Sequence, residues 1–386
     1  MGAKWNLAGQ TELNQLLDTS TAIPLLGGAG TTVTIQQAGF VNKLRGWLDA
    51  TITTVGAFAA VKSTWGLLGG SVRRLQVLVA GRKPFFSLSG LGLEMYNEVA
   101  NPDSSVLAPP PYMTLAAFAA DVNVIEATHL TAQPTVAAAT VNVVRQPFEL
   151  LFGLPVWMTR LIKLGPDYIP VQAEEEVGLW YLQERKTSLT IETDFYPAMG
   201  AVVDPHFPYN SVAGATGTWT PAGLVRWERE LFSVPPDVAA WPDQGYVHQV
   251  IEYEAAIIGS AFSFPVPQVG ALLRAIFIFH DNTVPAVLQQ WTNIVNLWMS
   301  YGASDRPIDR PAWALVNDYM LDYGRYPPSG VLVMDFYKAG RRAARLARDT
   351  DRVSNLVLGG NTVAGFPTGT VHIILESLVP QRVEVA

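Results

Sequence analysis

The sequence predicts an all-β chain with short helices, arranged as two similar β modules. Three observations carry that reading. One pattern occurs twice: a strand, a helical excursion opened by proline, and a second strand ending in aromatic and Pro/Gly residues. Its first copy runs from Pro147-Phe148-Glu149-Leu150-Leu151 through Phe152-Gly153-Leu154-Pro155 to a helix over Trp157 to Leu164 and a strand over Gly178 to Tyr196. Its second copy is the strand Ala271 to His280, a helix starting near Pro311-Ala312-Trp313, and the strand Gly330 to Tyr337. The length of 386 residues exceeds that of one ordinary domain and leaves room for two cores. Runs of β-branched and aromatic residues are punctuated throughout by 32 Gly and 27 Pro.

In chain order, Thr11 is a suitable N-cap, and Leu13, Leu16 and Leu17 share one helical face, which predicts a short amphipathic helix in an arm over residues 1–30. Gly27-Gly28-Ala29-Gly30 has neither the Gly-Lys-Ser/Thr ending of a phosphate loop nor the dinucleotide spacing. Strands are expected at Thr32 to Gln36, Val41 to Val55 and Ser71 to Val79, followed by a helix over Leu91 to Ala100. Residues 101–138 form a Pro- and Ala-rich insertion containing Pro109-Pro110-Pro111, too long for a hairpin loop.

Gly223 to Phe232 closes the first module, 31–234, as a strand. Leu224, Arg226, Glu228 and Glu230 take one face and Val225, Trp227, Arg229 and Leu231 the other. Pro235-Pro236-Asp237 and Trp241-Pro242-Asp243-Gln244-Gly245 mark a linker at 235–245. The second module, 246–386, opens with a strand from Tyr246 to Ile258. It closes with a strand at Ser354 to Leu358, a turn at Gly359-Gly360-Asn361, and a long strand from Gly369 to Val379.

Composition narrows the function. A net charge of -7 lacks the basic face that phosphate neutralisation needs, so no sequence-specific nucleic-acid partner is expected. With no cysteine there is no disulfide framework, thiolate nucleophile or Cys-based zinc site. Charged residues make up only 15%, a low share for a free enzyme, which suits a surface covered by neighbouring subunits. Trp5, Asn6 and Gln10 follow Met1 to Lys4 where a signal peptide would be apolar, and no stretch of 18 apolar residues is present.

Catalytic motifs are missing from the pattern. His129, His206, His248, His280 and His372 are scattered without ligand-pair spacing. Asp204-Pro205-His206 and His280-Asp281 fall at expected strand ends or turns, and Ser87-Leu88-Ser89-Gly90 departs from the nucleophile elbow. Glu174-Glu175-Glu176 suits a solvated loop or helix start. No catalytic residue, metal or cofactor is expected. The basic cluster Lys338, Arg341, Arg342, Arg345 and Arg348 places Arg341, Arg345 and Arg348 on one helical face, suited to lipid headgroups, nucleic acid or an acidic seam between subunits, or to local salt bridges.

The ordered series of these pieces resembles the double jelly-roll major capsid proteins of tailless icosahedral viruses, especially tectivirus-like, membrane-containing bacteriophages. The resemblance rests on the N-terminal arm, on Phe40 to Val79, and on Leu151 to Pro155 leading to the Ser188 to Glu192 strand. It rests further on Trp227 to Pro235, and on Arg310-Pro311-Ala312-Trp313 feeding Tyr326 to Val331. It implies two eight-stranded jelly rolls in one chain and a pseudo-hexameric homotrimeric capsomer in an icosahedral virion shell, made in the host cytoplasm. It further implies vertex or minor capsid proteins as partners, residues 101–138 as an outer tower, and the N-terminal arm facing an internal membrane or the genome. The contact residues expected are Leu13, Leu16, Leu17, Arg341, Arg342, Arg345 and Arg348. A two-domain β-sandwich that binds carbohydrate or adheres, using some of the 11 Trp and 13 Tyr, is the alternative. A bicupin-like enzyme would need the clustered His ligands these modules lack.

Overall fold

The computed structural model describes residues 13–23, 30–35, 39–55, 68–69, 72–79, 83–100, 141–152, 161–164, 167–170, 180–181, 189–195, 218–234, 246–257, 260–267, 272–283, 286–288, 293–301, 305–323, 326–327, 330–336, 348–349, 356–363 and 369–380. The first roll is built from β1 (Leu13–Ile23), β2 (Gly30–Ile35), β3 (Phe40–Val55), β4 (Val72–Val79), β5 (Lys83–Leu88), helix α1 (Gly90–Ala100) and β6 (Val141–Leu151). A hairpin of β7 (Leu161–Leu164) and β8 (Asp167–Pro170) and the short β9 (Trp180–Tyr181) follow. β10 (Leu189–Phe195) and β11 (Thr218–Phe232) complete it. The two sheets run β1-β11-β3-β6 and β2-β10-β4-β5, so the roll's eight main strands pair first-eighth-third-sixth and second-seventh-fourth-fifth.

The second roll repeats that order. Its strands are β12 (Tyr246–Ala256), β13 (Ala261–Pro265), β14 (Leu272–Thr283), β15 (Ala286–Leu288), β16 (Ile294–Tyr301) and β17 (Asp305–Pro311). Helix α2 (Ala312–Tyr323), β18 (Val331–Asp335), β19 (Arg348–Asp349), β20 (Leu356–Thr362) and β21 (Thr370–Pro380) follow. β12-β21-β14-β18 and β13-β20-β16-β17 reproduce the same two pairings, with β15 and β19 as short additions to β14. In both rolls the helix lies between the fifth and sixth main strands. The fold is a double jelly roll.

The rolls are joined by backbone. β5 of the first runs parallel to β12 of the second, with Val250 opposite Phe86 and Ile251 opposite Ser87, so one sheet passes through both rolls. The sheet of β12, β21, β14 and β18 therefore has two covered faces, which is why Leu272 to Phe279 reads as a near-continuous apolar run. Ile276 and Ile278 enter the second roll's own core with Leu297, Met299 and Leu358. Ala275, Phe277 and Phe279 enter a core shared with Phe86, Tyr96, Phe148 and Trp227 of the first roll.

Several expectations need correction. Leu13, Leu16 and Leu17 do not form a helical stripe: Leu13–Ile23 is an edge strand antiparallel to β11. The neighbouring backbone supplies the hydrogen bonds that a short isolated helix in water would have to sustain alone. Leu161 to Leu164, expected as the end of a helix, is half of a hairpin. Gly178 to Tyr196 is two strands, β9 and β10, belonging to different sheets.

Gly359-Gly360 is not a turn but the middle of β20. A Cβ at Gly359 would enter the Trp298 ring, and one at Gly360 would enter the Phe262 ring. The glycines are there because aromatic side chains of β16 and β13 lie across the strand. The insertion at 101–138, the linker at 235–245 and residues 1–12 lie outside the described residues.

Candidate functional site

Two buried polar clusters lock the rolls together. Arg274 sits at a register shift in the β14 to β21 ladder, between the pairs Leu273 with Ser377 and Ala275 with Glu376. Such a bulge re-aims a side chain. Here the guanidinium Nη1 meets Glu376 Oε1 at 3.1 Å, both side chains fully buried. On the other side of that oxygen, His248 Nε2 of β12 lies at 2.7 Å. Its Nδ1 meets the carbonyl of Leu151, in the first roll, at 2.8 Å.

Burial alone would raise the Glu376 carboxyl, but Arg274 and His248 outweigh it and hold it below the ordinary carboxylate value. Tyr96 of α1, edge-on to Phe277, has its phenol pushed well up by burial and then by the charge of Glu376, with Arg274 pulling partly back. Phe86 closes the cluster with edge contacts to Phe152 and to the His248 ring.

The second cluster is a helix cap supplied across the joint. Ser89 accepts from the Gly92 amide through Oγ at 2.9 Å, as an N-cap does at the start of α1. Glu252 of β12 then accepts from the Ser89 amide at 2.5 Å and from its hydroxyl at 2.9 Å. A carboxylate at this end of the helix also meets the positive pole of its dipole. His372 Nδ1 anchors the same carboxylate at 2.6 Å, and its ring stacks on Phe279 with centroids 4.7 Å apart. Nearby His280, within β14 rather than at a strand end, is buried. Burial, then the charge of His372, lower it to about 4.

The outer surface of the second roll differs. α2 buries Ala312, Leu315, Val316 and Tyr319, but Trp313 is 59% exposed, Met320 37%, Leu321 73%, and Tyr326 beyond the helix 64%. Spacings of seven and eight residues put Trp313, Met320 and Leu321 on one stripe. Trp227 is buried and Trp298 lies beneath the Arg306 guanidinium at 4.4 Å, so neither offers a free stacking face for sugar.

Among the sequence-predicted contact residues, Leu13, Leu16 and Leu17 lie along β1 opposite Phe232, Arg229 and Glu228. Arg348 belongs to the two-residue strand β19 opposite Leu273, not to a helical face with Arg341 and Arg345. Arg341, Arg342 and Arg345 lie outside the described residues, as do His129, His206 and Glu174 to Glu176. The split face expected for Arg226 to Leu231 is seen, with Trp227 and Leu231 inward and Arg226 outward. Among the described residues no group of three His, Cys, Asp or Glu is placed to hold a metal ion, and no helix is long and apolar enough to cross a membrane.

Sequence reasoning missed Arg274, Glu376 and Glu252. The available signal for the first two was a lone charge inside a strongly apolar strand, Leu272-Leu273-Arg274-Ala275-Ile276 and Ile373-Ile374-Leu375-Glu376.

No protein-family model matches the chain, and no curated protein matches it. Solved structures do. The major capsid protein of Sulfolobus turreted icosahedral virus aligns over 96% of this chain and 97% of its own, with TM-score 0.61 at 14% identity. The capsid of the virus PBCV-1 aligns over 98% and 95%, with TM-score 0.59 at 10% identity. The major capsid protein of bacteriophage PM2 aligns over 97% and 99%, with TM-score 0.54 at 9% identity. At these identities the likeness is one of fold, and it spans both rolls.

Proposed function

We propose that this chain is a structural capsid subunit, a major capsid protein that assembles as a pseudo-hexameric homotrimer and tiles an icosahedral virion shell. The observation that carries it is the fusion of two identically connected jelly rolls into one block by a shared sheet and two buried ionic clusters. A wall element needs fixed angles between its parts, and a continuous ladder with a common core supplies them. Two equivalent rolls per chain give a trimer six similar outer faces, which suits hexagonal packing. The partners on this reading are further copies of the chain and vertex or minor capsid proteins, with an internal membrane met through the N-terminal arm. The side chains it singles out are structural, so no catalytic role is assigned.

Light scattering of the purified protein, with negative-stain imaging of the same peak, tests the reading. The expected result is a particle of about three times the 42.0 kDa chain mass with a hexagonal outline. A compact monomer at every concentration would overturn it.

A further inference from the structure

β12 and β21 share a spacing: His248 stands four residues before Glu252, and His372 four before Glu376. The strands run antiparallel with Ile251 opposite Leu375, so the two segments lie head to tail and each histidine meets the other strand's glutamate. His248 Nε2 is 2.7 Å from Glu376, and His372 Nδ1 is 2.6 Å from Glu252. One member of each diagonal also crosses to the first roll. His248 reaches the Leu151 carbonyl, and Glu252 takes the amide and hydroxyl of Ser89. Glu376 and His372 fix those two members in place from β21.

The two crossings need opposite protonation. A carbonyl oxygen only accepts, so Nδ1 of His248 donates to Leu151. Burial raises the Glu376 carboxyl, but Arg274 and His248 together hold it below the ordinary value; it is ionised and only accepts, so Nε2 donates as well. His248 is an imidazolium in this arrangement. Glu252 gathers Ser89 and His372 at the start of α1, where the helix dipole favours a negative charge. Gly92 admits it there, because a Cβ at that position would overlap Glu252 Oε2.

We infer that these crossings form a two-sided proton latch on the joint, shut only while His248 carries a proton on each ring nitrogen and Glu252 carries none. Alkali removes a proton from His248 and leaves Leu151 or Glu376 facing a lone pair. Acid places one on Glu252 and discharges the helix cap. Either step frees the start of α1 or the end of β6 from β12 while the apolar core shared by the rolls stays packed, so the joint opens locally and the block does not unfold. The groups around His248 are Glu376 and, beyond it, Arg274 on β14, with the Phe86 ring of β5 edge-on and Tyr96 of α1 within the field of Glu376. Around Glu252 they are His372 and the neutral Ser89. His280 is coupled to His372 by charge but pairs with Val371, a residue of the second roll's own core.

Hydrogen exchange on the full chain, corrected for the intrinsic pH dependence of amide exchange, tests the latch at two places. The Gly92 and Leu93 amides, bonded to Ser89, report on Glu252, and the Phe152 amide beside Leu151 reports on His248. Protection at Gly92 and Leu93 should fall roughly five- to tenfold from neutral to acid, and at Phe152 by a similar factor from neutral to alkaline pH, the size of one lost buried hydrogen bond. The amides of β10 should keep theirs throughout. Glu252→Gln should flatten the acid limb only, and His248→Gln the alkaline limb only. Should either variant fail to fold, imidazole nitrogen NMR of the wild-type chain decides the matter, with both His248 nitrogens expected to be protonated at neutral pH. Flat profiles, limbs that answer to the wrong variant, or a singly protonated His248 ring would overturn the latch. None of these readouts depends on native mass, so the shell-subunit reading stands or falls separately.

Discussion

His248 and Glu376 form a fully buried contact 2.7 Å long, and the same imidazole reaches across to the Leu151 carbonyl of the other roll at 2.8 Å. Both ring nitrogens therefore face acceptors, and Glu376 also receives Arg274. Removing one partner of such a cluster leaves charge buried without its counterpart, at a cost of roughly 3–5 kcal/mol. Glu376→Ala should lower thermal stability by that order in a calorimetric scan, whereas an exposed carboxylate such as Asp318 replaced by alanine should cost below about 1 kcal/mol. Equal losses at both positions would show that the joint is not specially dependent on Glu376.

Stability should fall with acid in two stages. His280 is lowered from 6.5 to about 4, so the unfolded chain binds its proton first and stability is lost as pH drops from 6.5 towards 4. Glu376, held below its ordinary 4.5, stabilises above that pH and loses its contribution as pH falls through its lower folded value. Urea titrations from pH 7 to 4 measure the first stage, and His280→Leu should flatten it. An unchanged slope in that variant would assign the acid sensitivity elsewhere.

Gly359→Ala should destabilise the second roll by about 1–3 kcal/mol through overpacking against Trp298. Combining it with Trp298→Ala should give less than the sum of the two single losses, since the ring is what the new methyl meets. Strict additivity in that cycle would separate the two residues.

Ser89→Ala removes the N-cap of α1 and should cost about 1 kcal/mol. Glu252→Ala should cost more, because Ser89 and His372 both lose their shared acceptor. Hydrogen exchange at Leu91 to Leu93 should rise in both variants; no change there would mean the helix start is held by packing alone.

The two-module β plan was readable because strand runs such as Leu272 to His280 and Val371 to Val379 are long, apolar and β-branched, and because both helices follow a strand in the same order. The failures are local signals overruled by distant partners. Leu13, Leu16 and Leu17 have helical spacing, but β11 lies beside them; Gly359-Gly360 looks like a turn until two rings cover it. The inter-roll clusters were illegible for a similar reason. His248, Arg274 and Glu376 are far apart in sequence and share no motif, and only the jelly-roll connection makes their strands neighbours. The exposed stripe on α2 was hard to pick out because apolar residues fall on both sides of the helix, Leu315, Val316 and Tyr319 buried and Trp313, Met320 and Leu321 open.

β21 is the last described strand, yet it lies between β12 and β14 near the centre of the shared sheet. During translation, then, the second roll has a gap in its middle until the ribosome has released residues as far as Pro380. The platform beneath α1 is unfinished for the same interval, since Glu376 and His372 both sit on that strand. A prematurely terminated product lacks the wedge that completes the block. The strand order thus makes the finished block depend on the last strand described.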